Sequence, residues 1–404
     1  MRRIYMDANA TTPLLPEVLE AMRPFFIESF GNASSIHQVG QRARAAVERA
    51  REQVAALLHC RPAEIVFTSG GTESDNTAIF GVLRPGDHLI TSAIEHHAVL
   101  YTAEKARARG VDVTILPVSS GGAVDPLDVY RALKPNTKLI SVMMANNETG
   151  VIQPVEQIGK IAAEAEVCFH TDAVQAAGKI PIDVNAIGCH LLSLSGHKFH
   201  APQGTGILYV RRGTRFEPLI FGGAHERQRR AGTENVAGIV GLGKAAEIAL
   251  AGLTDGTEDH MGVLRDRLEQ GLISAIQECG VNGAGQLGDP QRAGALGSEP
   301  RVPNTTNLYF DHLESEALLI ALDLKGLAVS GGSACSSGST EPSHVLKAMG
   351  LPLARSRASL RFSLTRQNTG ADIDYALEII PPAVARLREL SPLHKKALAE
   401  SAAQ

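Results

Sequence analysis

Seven short apolar runs, "EIVFTS", "DHLITSA", "VDVTILPV", "TKLISVMMA", "VCFHTD", "HLLSLS" and "TGILYV", follow one another between Glu64 and Val210, most of them separated by helix-length segments such as "PVEQIGKIAAEAE". Few folds accept that alternation. Strands buried on both faces need helices above and below them, so the pattern predicts a mostly parallel sheet covered by helices, an α/β architecture. One connection breaks the rule. "KFHAPQGTG" is too short for a crossover helix, and it predicts an antiparallel neighbour at that point. Upstream, "GQRARAAVERAREQVAALLHC" predicts an amphipathic helix with Ala46, Ala50, Val54, Leu57 and Leu58 on its apolar side.

After about residue 255 the texture changes. The glycine- and proline-rich stretch from Gln277 to Asn307 predicts an exposed loop. Beyond it, "TTNLYF", "ESEALLIALDLKG", "SHVLKAMG", "ASLRFSL" and "DIDYALEIIPPAVARLREL" predict a smaller α+β domain. The expected organisation is a large domain over 15–255 and a small one built from 1–14 and 256–404. With 404 residues, 44% of them apolar, the chain has material for roughly two to three units of ~150 residues.

A formal net charge of -4 provides no basic surface for nucleic acid or for anionic lipid, so neither is expected as a partner. No apolar run approaches the ~18 residues of a membrane span, and "MRRIYMDANATTP" lacks the apolar stretch of a secretory signal. The expected location is the cytoplasm.

Ligands of open α/β sheets bind at the carboxyl ends of the strands, so the residues just past each run carry the information. They are Gly70-Gly71-Thr72-Glu73, Glu95-His96-His97, Asn146-Asn147-Glu148, Asp172 followed by Gln175, and Ser195-Gly196-His197-Lys198. Gly71 and Thr72 open a helix-like segment, a place that suits a phosphate, although the spacing is not that of a P-loop. Singly, each residue has a plain reading: a solvated lysine, a capping aspartate, a satisfied histidine. Together they match the needs of pyridoxal phosphate, which takes a lysine for its Schiff base, an acid on its ring nitrogen and an anchor for its phosphate. Lys198 must be neutral to attack, against an ordinary pKa of about 10.4, and burial beside His197 and His200 favours that form.

The five cysteines are scattered and form no CxxC pair, which argues against a disulfide framework and against a cysteine-rich zinc site. Four have apolar neighbours. Cys335 instead lies in "SGGSACSSGS", which offers almost nothing to bury it.

In these motifs the chain resembles the cysteine desulfurases that supply sulfur for iron–sulfur cluster assembly, in the fold-type I, class V aminotransferase group. The resemblance runs through "YMDANATTP", "GNASSIH", "TSGGTESDN", "EHHAV", "NNETG", "HTDAVQAAGKIPID", "SLSGHKFHAPQGTG", "RRAGTENV", "SGGSACSSGSTEPSHVL" and "LRFSLTR". It implies that Lys198 is the Schiff-base lysine and the base for the Cα proton. Asp172 would pair with the ring nitrogen, Gln175 with the phenolic oxygen, and His96 would stack on the ring. Gly71, Thr72, Ser195 and His197 would hold the phosphate, joined by Thr233 from the other subunit of a homodimer. Asn147 and Arg361 would grip the carboxylate of L-cysteine, a task for which a planar guanidinium fork is suited.

The same resemblance implies that Cys335 takes the substrate sulfur as a persulfide, releases alanine, and passes the sulfur to an iron–sulfur scaffold protein or another acceptor. A thiol with both tasks must reach inward and outward, which a glycine- and serine-rich loop permits. The "EPSHVL" sequel implies the subgroup with a long cysteine loop. Two features depart from the family: the 280–303 segment is longer than usual, and Ser336 stands where threonine is common. The alternatives are a selenocysteine lyase, another class V aminotransferase with no use for the loop thiol, or a non-catalytic sulfur carrier with no use for Lys198 and Asp172.

Overall fold

The computed structural model describes residues 3–283, 300–331 and 342–395. Its strands in chain order are β1 (Ile4–Tyr5), β2 (Ile65–Thr68), β3 (His88–Ser92), β4 (Asp112–Leu116), β5 (Thr137–Ser141), β6 (Cys168–Asp172), β7 (Leu191–Ser195) and β8 (Gly206–Val210), then β9 (Cys279–Val281), β10 (Thr305–Phe310), β11 (Leu327–Ala328), β12 (Ser330–Gly331) and β13 (Ser359–Ser363). The seven apolar runs become β2 to β8 and form one sheet in the order β2-β8-β7-β6-β5-β3-β4. Neighbours from β7 through β4 are parallel. Strand β8 is antiparallel to both β7 and β2, as its short connection requires.

A close approach of backbone explains the glycine at the head of β8. A Cβ on Gly206 would lie 2.6 Å from the Cα of Gly70 and 2.6 Å from the Leu194 carbonyl oxygen. The two glycines let the turn after β2 lie flush against β8, beside the end of β7. The long helix Gln38–Leu57 packs on the large sheet with Ala50, Val54 and Leu57 buried as expected, together with Leu58 just past its end; Ala43 and Val47 extend that face, while Ala46 is half-buried. Helix Val236–Gly252 packs along it, its Gly243 set against Ala50.

A second sheet, β12-β13-β10-β9, is antiparallel throughout, and β1 pairs with β11 in parallel beside it. Its core is separate from that of the large sheet. Ile4 and Met6 of the N-terminus bury there with Leu268, Leu308, Phe362 and Ile380. Strand β9 corrects the expectation of an unbroken loop from Gln277 to Asn307. Three residues with a central glycine carry no strand signature of their own; pairing with β10 creates the strand.

Between β8 and helix Val236–Gly252 the chain turns back through Glu226, Arg227 and Gln228, three consecutive non-glycine residues with φ of 46°, 56° and 65°. Left-handed residues of this kind cost about 1–2 kcal/mol each. A buried ion pair holds them. Glu226 accepts from Arg51 through both oxygens, at 2.8 and 2.9 Å, and from the Phe67 amide at 3.0 Å. Replacing one partner strands the other charge out of water. Glu226→Ala is therefore expected to lower the unfolding free energy by about 3–5 kcal/mol in urea denaturation. A loss within the range of ordinary surface substitutions would show that the turn is held by something else.

Candidate active site

The carboxyl ends of β2, β3, β6 and β7, with the turn after β5, surround a cavity of about 300 Å³. That volume suits a small cofactor. Gly71, Thr72, His96, Asn147, Asp172, Gln175, Ser195, His197 and Lys198 all line it, and Arg361 enters from β13 of the second sheet. Thr233 does not. It is exposed, in a separate surface pocket with Glu226 and Gly232. Cys335 lies outside the described residues.

The N-terminal segment crosses this cavity and was not assigned a role from the sequence. Lys198 Nζ donates to the carbonyls of Asn9 at 2.6 Å and Ala10 at 2.8 Å. Asn9 Nδ2 donates to the Asn147 carbonyl and to Thr305 Oγ1, while the Asn9 amide donates to Ser363 Oγ. Thr11 Oγ1 meets His197 Nδ1 at 3.0 Å, and Arg361 pairs with Asp7 at 2.7 Å. Arg361 also donates to the Asn147 carbonyl, which leaves its buried Nε with no hydrogen-bond partner among the described residues. A guanidinium N–H left over at a cavity wall is suited to a carboxylate.

Charges in the site are set by burial. The imidazole of His96 is pushed down to about 4, by burial first and then by Lys198, His97 and His344. His197 falls to about 4 by burial and by Lys198. Both rings are neutral at pH 7, which leaves His96 an uncharged aromatic face. Burial lifts Asp172 to about 6, restrained by the Val174 N–H and the Lys198 charge. Asp75, far from Asp172 in sequence but lining the same cavity, is raised well above the carboxylate range by burial and by Asp172. Two buried carboxyls so placed do not ionise together, and the one with the backbone donor and the cation keeps the charge.

The residues present fit pyridoxal phosphate. A buried carboxylate, the amides of a helix start and a lysine whose charge acts on two neutral imidazoles line one cavity. A Cβ on Gly71 would come within 2.8 Å of Val174 Cγ2, so only glycine keeps that wall close. The ends of the segment that carries Cys335 are also anchored here. Ser330 of β12 pairs in register with Arg361, and on the far side Ser343 Oγ donates to Glu148 Oε2 at 2.5 Å while His344 Nε2 meets the Glu95 carbonyl at 2.9 Å.

The aminotransferase class-V family profile matches residues 4–376. A cysteine desulfurase IscS of Methanosarcina thermophila is 49% identical over 399 residues, covering 98% of this chain and 95% of its own length. A cysteine desulfurase of a Nostoc species is 50% identical over 395 residues, with 97% and 95% covered. Among solved structures, a NifS-like protein superposes with a TM-score of 0.85 at 37% identity, covering 96% of this chain and all of its own. SspA in complex with cysteine gives 0.76 at 36% identity, with 91% and 100% covered.

Glu148 makes the site's electrostatics measurable. Burial raises its carboxyl from 4.5 to about 7, against the Ser343 bond and the Arg361 charge. A carboxyl raised on folding leaves the folded state holding an extra proton between those two values, so its contribution to stability declines as pH rises through that window. Glu148→Gln removes the decline. Relative to the parent apoprotein, the variant is expected to gain roughly 2–3 kcal/mol between about pH 5 and pH 8 in urea unfolding. Parallel curves for the two proteins would contradict the burial of an ionisable Glu148.

Proposed function

The chain belongs to the aminotransferase class-V family and is a pyridoxal-phosphate-dependent cysteine desulfurase; on that premise we propose how its own residues divide the work. Lys198 binds the cofactor and moves the Cα proton. Asp172 holds the ring nitrogen, Gln175 the phenolic oxygen, and the neutral His96 stacks on the ring. Gly71, Thr72, Ser195 and His197 hold the phosphate, with Thr233 of a second copy completing the cradle in a homodimer. Arg361 and Asn147 orient the L-cysteine carboxylate. The bound cofactor withdraws electrons from the substrate, which acidifies its Cα–H and weakens its Cβ–Sγ bond.

Cys335 attacks the substrate sulfur. A sulfur–sulfur bond forms, the Cβ–Sγ bond breaks with its electron pair staying on the carbon skeleton, and protonation there gives alanine. The persulfide on Cys335 then passes to an iron–sulfur scaffold or another acceptor. Support comes from elimination among the five cysteines. Burial pushes the thiols of Cys60, Cys168, Cys189 and Cys279 up to about 12, so none supplies thiolate at neutral pH.

The observation that carries this reading is the anchoring of both flanks of the Cys335 segment on the wall that holds Arg361 and Glu148. The large domain is taken as 15–255, the small as 1–14 with 256–404, and the location as cytoplasmic. Among the described residues, no helix is long and apolar enough to cross a membrane.

The decisive comparison is alanine and sulfide release from L-cysteine with a reductant, for the parent and Cys335→Ser, with cofactor absorbance recorded on both. The variant is expected to keep the cofactor and lose turnover by at least about 100-fold. Equal turnover would remove Cys335 from the mechanism. Activity that survives in a fully monomeric preparation would likewise remove Thr233 of a second copy.

A further inference from the structure

Gln175 is held from both ends. Its Oε1 accepts from Lys179 Nζ at 2.6 Å, and its Nε2 donates to the Asn9 carbonyl at 3.0 Å. An ammonium only donates and a backbone carbonyl only accepts, so these two partners together determine which way the amide faces. Turned over, it would set NH2 against NH3+ and C=O against C=O. Lys179 is itself buried and donates also to Asn9 Oδ1 at 3.3 Å, while the Asn9 carbonyl is shared with Lys198. An amide nitrogen carries two hydrogens. One goes to Asn9, and the other is left for the cavity that Gln175 lines.

We infer that Lys179 is a positioning residue: it locks the Gln175 amide so that a donor, and not an acceptor, meets the ionised ring oxygen of bound pyridoxal phosphate. The inference rests on the assignment of Gln175 to that oxygen. Lys179 acts in two ways in the same direction. It keeps the donor in place, and it adds a buried positive charge close to the oxygen. Both favour loss of the proton from the nitrogen that joins Lys198 to the cofactor. The charged and titratable groups facing this cluster are Asp75 and His96 after β2 and β3, Asp172 at the end of β6, His197, Lys198 and His200 after β7, and Arg361 and Arg366 on and after β13.

The test is an absorbance titration of the holoprotein, following the pH midpoint at which the Lys198–cofactor linkage loses its proton. Lys179→Met is expected to raise the midpoint by about one unit, the scale of one lost hydrogen bond plus a charge. Lys179→Arg, which keeps donor and charge, is expected to restore most of the shift. Gln175→Met serves as the reference and is expected to raise the midpoint too. If Gln175→Met moves the midpoint and Lys179→Met does not, Lys179 has no such role while the Gln175 assignment stands. If neither moves it, the Gln175 assignment fails and the inference falls with it. Should Lys179→Met not fold, Lys179→Gln removes the charge with an amide in its place; a raised midpoint supports the inference and an unchanged one overturns it.

Discussion

The site depends on a strand of chain too short to have a core of its own. From Asp7 to Thr12 the N-terminal segment passes from the second sheet to the turn after β7, and its polar groups are taken up partly by residues that line the cavity and partly by Ser363, Thr305 and Lys179. A buried segment without secondary structure has to satisfy its amides and carbonyls somewhere. Here it does so on Lys198, Gln175, His197, Asn147 and Arg361. The constraint acts in both directions: the catalytic side chains order the segment, and the segment fixes their rotamers. Asn9 is the extreme case, with its amide, carbonyl and both side-chain polar atoms engaged and its side chain also accepting from Asn304.

Around that crossing, burial has sorted the ionisable groups into those that carry charge and those that do not. Imidazoles become neutral, and Asp75, Glu95 and Glu148 are pushed toward their protonated forms. Glu95, lifted to about 8, accepts from Ser92 and the Met143 amide through one oxygen while the other has no hydrogen-bond partner among the described residues. The charges that remain are few and are matched in sign. Asp172 faces Lys198, and Asp7 faces Arg361. In a low-dielectric site such pairs act strongly because nothing nearby screens them.

The residues at strand ends were legible because the apolar runs mark the strands and the fold dictates where their ends meet. His96, Asp172, Ser195, His197 and Lys198 needed only that rule to fall together. Gln175 falls just past the same strand end, but its role, like the place of Arg361, follows from the family resemblance and not from local pattern. The roles of Asn9 and Lys179 are not legible in the sequence, since their partners are more than a hundred residues away or are set by side-chain geometry. Asp75 looks like any polar residue in a helix until the helix is docked. Strand β9 was missed for the same reason: its three residues acquire their conformation from β10 and carry no alternation of their own.

The Asn9 hub has a consequence for the growing polypeptide. Its partners are spread along the chain from Asn147 to Ser363, the last of them 354 residues downstream. During synthesis this early segment is thus among the last to find its place. The large sheet is complete once β8 has emerged, yet the lysine it presents has no settled position until β13 has followed. Contacts of such long sequence separation slow folding. Arg361, which lines the cavity, arrives on that same strand, so the site is complete only once the carboxyl-terminal sheet has been made.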